Sequence, residues 1–360
     1  MRGINIFSRG EDFYNSIESE MARAEKEILI NVYAFQNDSV GKRFIEIIKR
    51  KLRSGITVRV IIDGLGTRRN GDEIARALAG YGDVVRIFRP RGGYFWHNPK
   101  MSLRRDHARI FLVDKKILGV GGICIGDIYN ERQDIAALVS AEDTSSVIDY
   151  FDYLWMLAGN KNGDPEALVP KQLSSPFSLA PEVKALISGP LEAEQAIYRW
   201  ALERIITAER QIVIVSAWFL PTTELIKALC DAKERGVDIS IITPSHTDKR
   251  WYDEFRGAAI PKLLKKGIRW YGAHEYFHQK FFFVDDDWCL GSANFDMVSM
   301  NRNYELNICG HGGEVLKELQ NNFQALVKNS RPIGYTRVSL FVKTVRVFAY
   351  RLFETLIVTR

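Results

Sequence analysis

Apolar and polar positions follow two alternating periods along the chain. Residues 13–26 have the composition of a helix, and residues 27–35 (EILINVYAF) form an apolar run that reads as a buried strand. Val40, Phe44, Ile45, Ile47, Ile48 and Leu52 then recur at the spacing of an amphipathic helix that stops at Gly55, and residues 56–63 (ITVRVIID) make the next strand. The same order returns later, with a helix over 192–207, a strand over 211–219, a helix over 223–235 ending at Gly236, and a strand over 237–243. Ala24-Glu25 recurs as Ala208-Glu209, 184 residues on, and Gly55 recurs as Gly236, 181 residues on. A duplicated series of βα units accounts for both halves and predicts an α/β fold. The expected organisation is a first lobe over 1–158, a linker rich in Gly, Pro, Ser and Asn over 159–190, a second lobe over 191–330, and a segment over 331–360 outside both repeats.

Composition narrows the class of protein. The 360 residues are 46% hydrophobic and 26% charged, which is globular rather than disordered composition. No run approaches the roughly 18 apolar residues of a spanning helix, and the first residues lack a secretory leader, so the expected location is cytoplasmic. Cys124, Cys230, Cys289 and Cys309 are widely spaced without a CxxC pair, which argues for buried free thiols over a zinc site or a disulfide framework. A net charge of +6 and a pI near 9.0 favour polyanionic partners, either an anionic lipid surface or nucleic acid.

Each half carries one candidate half-site. The first has His107, Arg109 and Asp114, then Gly121-Gly122 and Cys124, then Asp134; the second has His278, Lys280 and Asp285, then Gly291-Ser292 and Asn294, then Glu305. Each histidine lies seven residues before its aspartate and 27 before its acid, and two such copies inside matching repeats are hard to produce by chance. Period-2 alternation puts the histidine and its basic neighbour on one face of a strand, followed by a hairpin turn at Asp114 or Asp285. Phosphodiester exchange suits the pair: one imidazole attacks phosphorus, and the other protonates the leaving alkoxide and later activates the acceptor. Arg109, Lys280 and Asn294, with Ser292, Gly122 and Cys124 nearby, are candidates to cradle the phosphate oxygens. Asp134 and Glu305 are assigned to the far nitrogens of the imidazoles, and Asp114 and Asp285 to the turns. This chemistry needs neither a metal nor another cofactor.

At these residues the chain resembles the phospholipase D superfamily, whose HKD signature is this His-Lys-Asp spacing. The second copy, HQKFFFVD with GSANFD, matches it in full. The resemblance covers residues 5–330, includes IDG at 62–64, AWFLP at 217–221 and SMNRNYE at 299–305, and is greatest toward bacterial cardiolipin synthases that lack N-terminal transmembrane helices. It implies two tandem phospholipase D-like βα sandwich lobes related by a pseudo-twofold, one active site at their interface, and a phosphohistidine intermediate. It also implies transfer of a phosphatidyl group between head-group alcohols; the alternatives are a phospholipase D hydrolase, or a nuclease or phosphodiesterase of the same superfamily. Arg109 and Cys124 depart from the usual Lys and Asn, which alters half the cradle while both histidines and both acids remain.

Two further segments bear on the partner. Residues 89–97 (RPRGGYFWH) with Arg104 and Arg105 form a basic, aromatic stretch suited to an anionic head group or a single-stranded nucleic acid. In the tail, Val338, Phe341, Val342, Val345, Phe348, Leu352 and Leu356 fall at helical steps among Lys343, Arg346 and Arg351, with Glu354 as the one acid. Two readings stand: an interfacial helix lying on an anionic phospholipid surface, here the inner face of the cell membrane, or a helix packed on the catalytic body.

Overall fold

The computed structural model describes residues 3–67, 70–90, 104–159, 176–190, 195–247, 250–334 and 340–358. The first half supplies β1 (Ile4–Arg9), β2 (Glu27–Val32), β3 (Thr57–Asp63), β4 (Val85–Phe88), β5 (Ile110–Val113), β6 (Ile117–Gly121) and β7 (Gln133–Ser140). These form one sheet in the order β1-β7-β6-β5-β2-β3-β4. The second half supplies β8 (Phe177–Ala180), β9 (Val183–Ser188), β10 (Gln211–Ser216), β11 (Phe219–Leu220), β12 (Asp238–Pro244), β13 (Arg269–Ala273), β14 (Lys280–Val284), β15 (Asp287–Gly291), β16 (Phe295–Asp296), β17 (Glu305–His311) and β18 (Ser330–Pro332). Its main sheet runs β8-β9-β17-β15-β14-β10-β12-β13-β18, and β11 pairs separately with β16. Stripped of the edge strands β8 and β18, the second sheet repeats the first strand for strand. The directions repeat too: β2 is parallel to β3 and antiparallel to β5, as β10 is to β12 and β14.

The central strands are apolar on both faces because both faces are covered. In β5, Ile110 and Leu112 point into one cluster while Phe111 and Val113 point into another; in β14, Phe281 and Phe283 are divided in the same way from Phe282 and Val284. The cluster shared by both sheets lies between the lobes and takes in the helices Ser145–Gly159 and Gly313–Lys328. Helices Gly10–Arg23 and Ser39–Arg53 cover the outer face of the first sheet, and Ala196–Thr207 and Thr223–Glu234 that of the second. This is a two-lobed α/β fold built twice from one plan.

The repeated helices begin and end as their sequences dictate. Asp38 accepts from the Gly41 amide at 3.0 Å to cap the helix Ser39–Arg53, whose last turn is basic, and Gly55 leaves it at φ +79°. Gly236 does the same at φ +95° after the helix Thr223–Glu234. The stretch read as a linker contains two strands. Residues 160–175 lie outside the described residues, and residues 177–188 form β8 and β9 on the edge of the second sheet. The run VKALIS, buried throughout except at Lys184, is a strand signal that the Gly-Pro-Ser composition around it obscures.

The motif aspartates sit at the far ends of β5 and β14 from the histidines. Asp114 accepts from the amides of Glu25, Lys26 and Glu27 at 2.8, 2.8 and 3.0 Å, and Asp285 from those of Glu209, Arg210 and Gln211 at 2.9, 2.8 and 2.9 Å. Each carboxylate thereby ties the hairpin turn to the entry of β2 or β10, and these amide bonds pull its pKa below the ordinary carboxylate range against the opposing effect of burial. Six residues, each rising about 3.3 Å where extended, separate each aspartate from its histidine. All four cysteines are buried and unpaired.

Candidate active site

The two histidines meet where the lobes exchange backbone. Asp106 bridges Tyr304, and Phe277 bridges Gln133. The His107 amide donates to the Tyr304 carbonyl at 2.9 Å, and the His278 amide to the Gln133 carbonyl at 2.7 Å. The residue before each histidine thus lies beside the residue before the acid of the opposite lobe. As a result the acid pairing is crossed: His107 Nδ1 is 2.8 Å from Glu305 Oε1, and His278 Nδ1 is 2.7 Å from Asp134 Oδ2. Spacing along the chain places each acid 27 residues after a histidine, but strand exchange at the interface hands it to the other one.

Both acids are buried and fully engaged. Glu305 Oε2 accepts from the Ser292 hydroxyl at 2.5 Å, and Asp134 Oδ1 from the Ile135 amide at 2.8 Å. Burial raises both acids, but the hydrogen-bonded His107 imidazole beside Glu305 and the Lys280 ammonium beside Asp134 bring them below the ordinary carboxylate range. A carboxylate on Nδ1 fixes each imidazole with its proton on that nitrogen and its lone pair on Nε2.

Burial pushes both histidines toward the neutral form. His278 is driven down to about 3, by burial first and then by the Lys280 ammonium, while Asp134 opposes it. His107 is lowered by burial and then by Arg109, against the pull of Glu305. Lys280 is itself lowered to about 8, with burial the main cause.

Lys280, the first residue of β14, and Arg109, just before β5, are both buried and reach their own histidines; His107, Arg109 and His278 precede the strands in which the alternation put them. Lys280 Nζ is 2.8 Å from His278 Nδ1 and donates to the His278 carbonyl. Arg109 donates to the His107 carbonyl, approaches His107 Nε2 at 3.2 Å and lies within hydrogen-bonding reach of the Cys124 sulfur. The two departures in the first half-site therefore go together: a guanidinium longer than lysine is met by a side chain smaller than asparagine. Asn294 keeps a buried, unpartnered Oδ1 and a long 3.5 Å contact from Nδ2 to Ser299 Oγ.

Two residues expected to face the substrate do not. Ser292 is wholly buried with its hydroxyl on Glu305, and Gly122 lies against Asp134, whose Oδ1 would stand 2.1 Å from a Cβ added there. Both shape the seats of the acids. Arg105, read from the sequence as a substrate-binding cation, is buried on Asp63 with contacts of 3.2, 3.0 and 2.9 Å. It anchors the segment entering His107; residues 91–103, which include the aromatic ones, lie outside the described residues.

Sequence reasoning also passed over Tyr33, whose ring meets His107 edge-on at 4.9 Å, and Asp106, whose Oδ1 accepts from Asn31 Nδ2 at 3.0 Å. Asp106 Oδ2 is buried without a partner, and burial raises its pKa to about 8, with the Asn31 hydrogen bond acting against that rise. For an acid whose folded pKa lies above its unfolded value, the unfolded chain ionises first. Stability is therefore lost as pH rises from about 4 to about 8. Asp106→Asn should remove this loss: in urea titrations at the two ends of that range, the variant gains on the parent chain at the higher pH. An equal difference at both ends would contradict the assignment.

The family described as "Cardiolipin synthase, PLD-like domain" matches residues 17–155 and 201–327, one segment in each lobe. A protein named probable cardiolipin synthase YwiE from Bacillus subtilis is 26% identical over 367 residues, covering 98% of this chain and 71% of its own. A cardiolipin synthase from Geobacillus kaustophilus is 26% identical over 344 residues, covering 92% and 67%. The crystal structure of phosphatidylserine synthase from Haemophilus influenzae Rd KW20 superposes with a TM-score of 0.76 at 16% identity, covering 98% of this chain and 95% of that one, which shows the shared fold. Both halves match the family, so the chain belongs to the cardiolipin synthase PLD-like domain family and is an enzyme of the phospholipase D type.

Proposed function

We propose that the chain is a phosphatidyltransferase that moves a phosphatidyl group from one head-group alcohol to another through a covalent phosphohistidine. The observation that carries this reading is the pair of imidazoles, each held through Nδ1 by an acid from the opposite lobe, with Arg109 and Lys280 beside them. The lipid substrate is supported by relatives named cardiolipin synthase over nearly the whole chain.

His278 is the better nucleophile. Its Nε2 has no partner among the described residues, and burial holds it neutral, whereas Arg109 stands at Nε2 of His107. His278 Nε2 attacks phosphorus and a P–N bond forms. The P–O bond to the leaving alcohol breaks, and its oxygen takes the Nε2 proton of a protonated His107. The anionic phosphodiester draws Arg109 off the imidazole and favours that protonated form. In the second half the neutral His107 takes the proton of the acceptor hydroxyl, whose oxygen displaces His278. Arg109, Lys280 and Asn294 meet the charge on the phosphoryl oxygens, each such donor contributing about 10²- to 10³-fold in rate.

Incubation of the purified chain with phosphatidylglycerol vesicles, and separately with single-stranded DNA, tests the substrate. Formation of cardiolipin and free glycerol supports the transferase, and phosphatidic acid as the sole product points to a hydrolase. Cleavage of DNA with no lipid product overturns the reading.

A further inference from the structure

We infer that the C-terminal helix Leu340–Val358 is a docking face for an anionic lipid bilayer, clamped to the catalytic lobe next to the active site; the inference rests on the phospholipid reading of that site. The two sequence readings of the tail prove compatible, because the helix uses opposite faces. One face is fixed to the body: Tyr350 and Ile357 are buried in the core of the second lobe, with Phe353 packed against it. Tyr350 donates its hydroxyl to the Pro221 carbonyl.

The other face carries Val345, Phe348, Leu352 and Leu356, which are 50%, 69%, 51% and 65% exposed. Their spacing of three, four and four residues makes one continuous stripe along the helix.

Charge selects the occupant. Glu354, the one acid of the helix, is turned to the body, where its two oxygens accept from the Thr223 amide and hydroxyl at 2.5 Å each. No carboxylate therefore flanks the outward stripe from this helix, while Arg351 is exposed beside it and the chain carries +6 overall. An apolar stripe edged by positive charge fits the boundary between head groups and acyl chains of an anionic membrane. A second protein copy fits less well, because a stable interface takes about 20–30 residues from each side and the stripe offers four. Nor can the helix cross the membrane, since no helix among the described residues is long and apolar enough.

The clamp reaches the site. Arg302 donates to the carbonyls of Leu356, at 2.8 Å, and Ile357, and it directly follows the short helix Met297–Asn301 that holds Ser299 against Asn294. The next residue, Asn303, donates to Glu305 Oε1 at 3.4 Å. A bilayer seated on the stripe would thus hold the segment between the phosphate cradle and the acid of His107 against the lipid surface.

The test is flotation of the full chain with vesicles of phosphatidylcholine and phosphatidylglycerol in equal parts, beside the triple variant Phe348→Glu, Leu352→Glu, Leu356→Glu. The parent chain should float, and the variant should lose binding by about tenfold or more. The variant should also turn over vesicle-embedded phospholipid more slowly while keeping the parent rate on a short-chain phospholipid dissolved below its micelle concentration. In a second measurement, Phe348→Trp should keep vesicle binding and shift its fluorescence to the blue when vesicles are added. Equal flotation of parent and triple variant overturns the inference, as does a Phe348→Trp emission that vesicles leave unchanged. A parent chain that sediments as a dimer, with the triple variant a monomer and flotation unaffected, assigns the stripe to a second copy instead and also overturns it. Flotation needs no turnover: a chain that floats through the stripe but processes no phospholipid removes only the substrate reading, and one that processes short-chain lipid but does not float removes only this inference.

Discussion

His278→Ala should lower kcat by about 10⁴- to 10⁶-fold, the scale seen when a covalent nucleophile is deleted from a site whose other parts remain. Burial, and then the neighbouring Lys280, keep His278 neutral, and Lys280 does so without occupying Nε2, so the nitrogen that attacks is both unprotonated and unobstructed. His107→Ala should cost less, about 10²- to 10⁴-fold, because it removes proton transfer and leaves the attack intact. A substrate with an acidic leaving group such as p-nitrophenol needs no proton on departure. With such a substrate His107→Ala should recover most of the first half-reaction, and His278→Ala should recover none of it. The reverse pattern would exchange the two roles.

Asp134→Asn should cost about 10²- to 10⁴-fold, and its partner is set by the crossed geometry. Asp134 lies 2.7 Å from His278 Nδ1 although it follows His107 in the chain, and Glu305 lies 2.8 Å from His107 Nδ1 although it follows His278. Residues that act as one unit are not additive. Adding Asp134→Asn to His278→Ala should therefore change little, while adding it to His107→Ala should multiply the losses. Glu305→Gln should behave in the opposite way.

The pH dependence separates the two acids as well. His107 must be protonated to act as the acid, so its ionisation sets the alkaline limb of kcat/KM. Burial and Arg109 place that limb below the ordinary imidazole value of about 6.5. Glu305 favours the imidazolium, so Glu305→Gln should move the limb lower still, and Asp134→Asn should leave it nearly in place. Movement of the limb with Asp134 and not with Glu305 would mean that each lobe orients its own histidine.

Much of this was legible in the sequence because the repeat writes it twice. The buried strands over 27–32, 57–63, 211–216 and 238–244 and the helices between them follow from apolar runs and amphipathic spacing, with Gly55 and Gly236 marking helix ends. Arg109 and Lys280 reach their own histidines, although the strands begin only at Ile110 and Lys280, and Asp114 and Asp285 staple turns as their turn chemistry suggests.

What escaped depends on contacts between segments distant in sequence. Which acid serves which histidine is decided by the bridges from Asp106 to Tyr304 and from Gln133 to Phe277, and no local period encodes these. Ser292 and Gly122 sit in motifs that approach phosphate, yet the neighbouring strands turn them under the acids. Arg105 reads as a solvent-facing cation until Asp63, 42 residues earlier, is seen to receive it. The edge strands β8 and β9 were hidden by the composition of the segment around them.

Trapping the covalent intermediate tests the central claim most directly. The chain is mixed with a phospholipid labelled on its phosphate, quenched in base within the first turnover, digested, and its labelled peptide sequenced. A P–N bond to histidine survives base and is lost in acid. The predicted result is an acid-labile, base-stable label on the peptide containing His278, absent in His278→Ala and retained in His107→Ala with an acidic leaving group. A chain that turns over substrate with no label on either histidine, or with label on a serine or a carboxylate, would contradict phosphohistidine catalysis at this site.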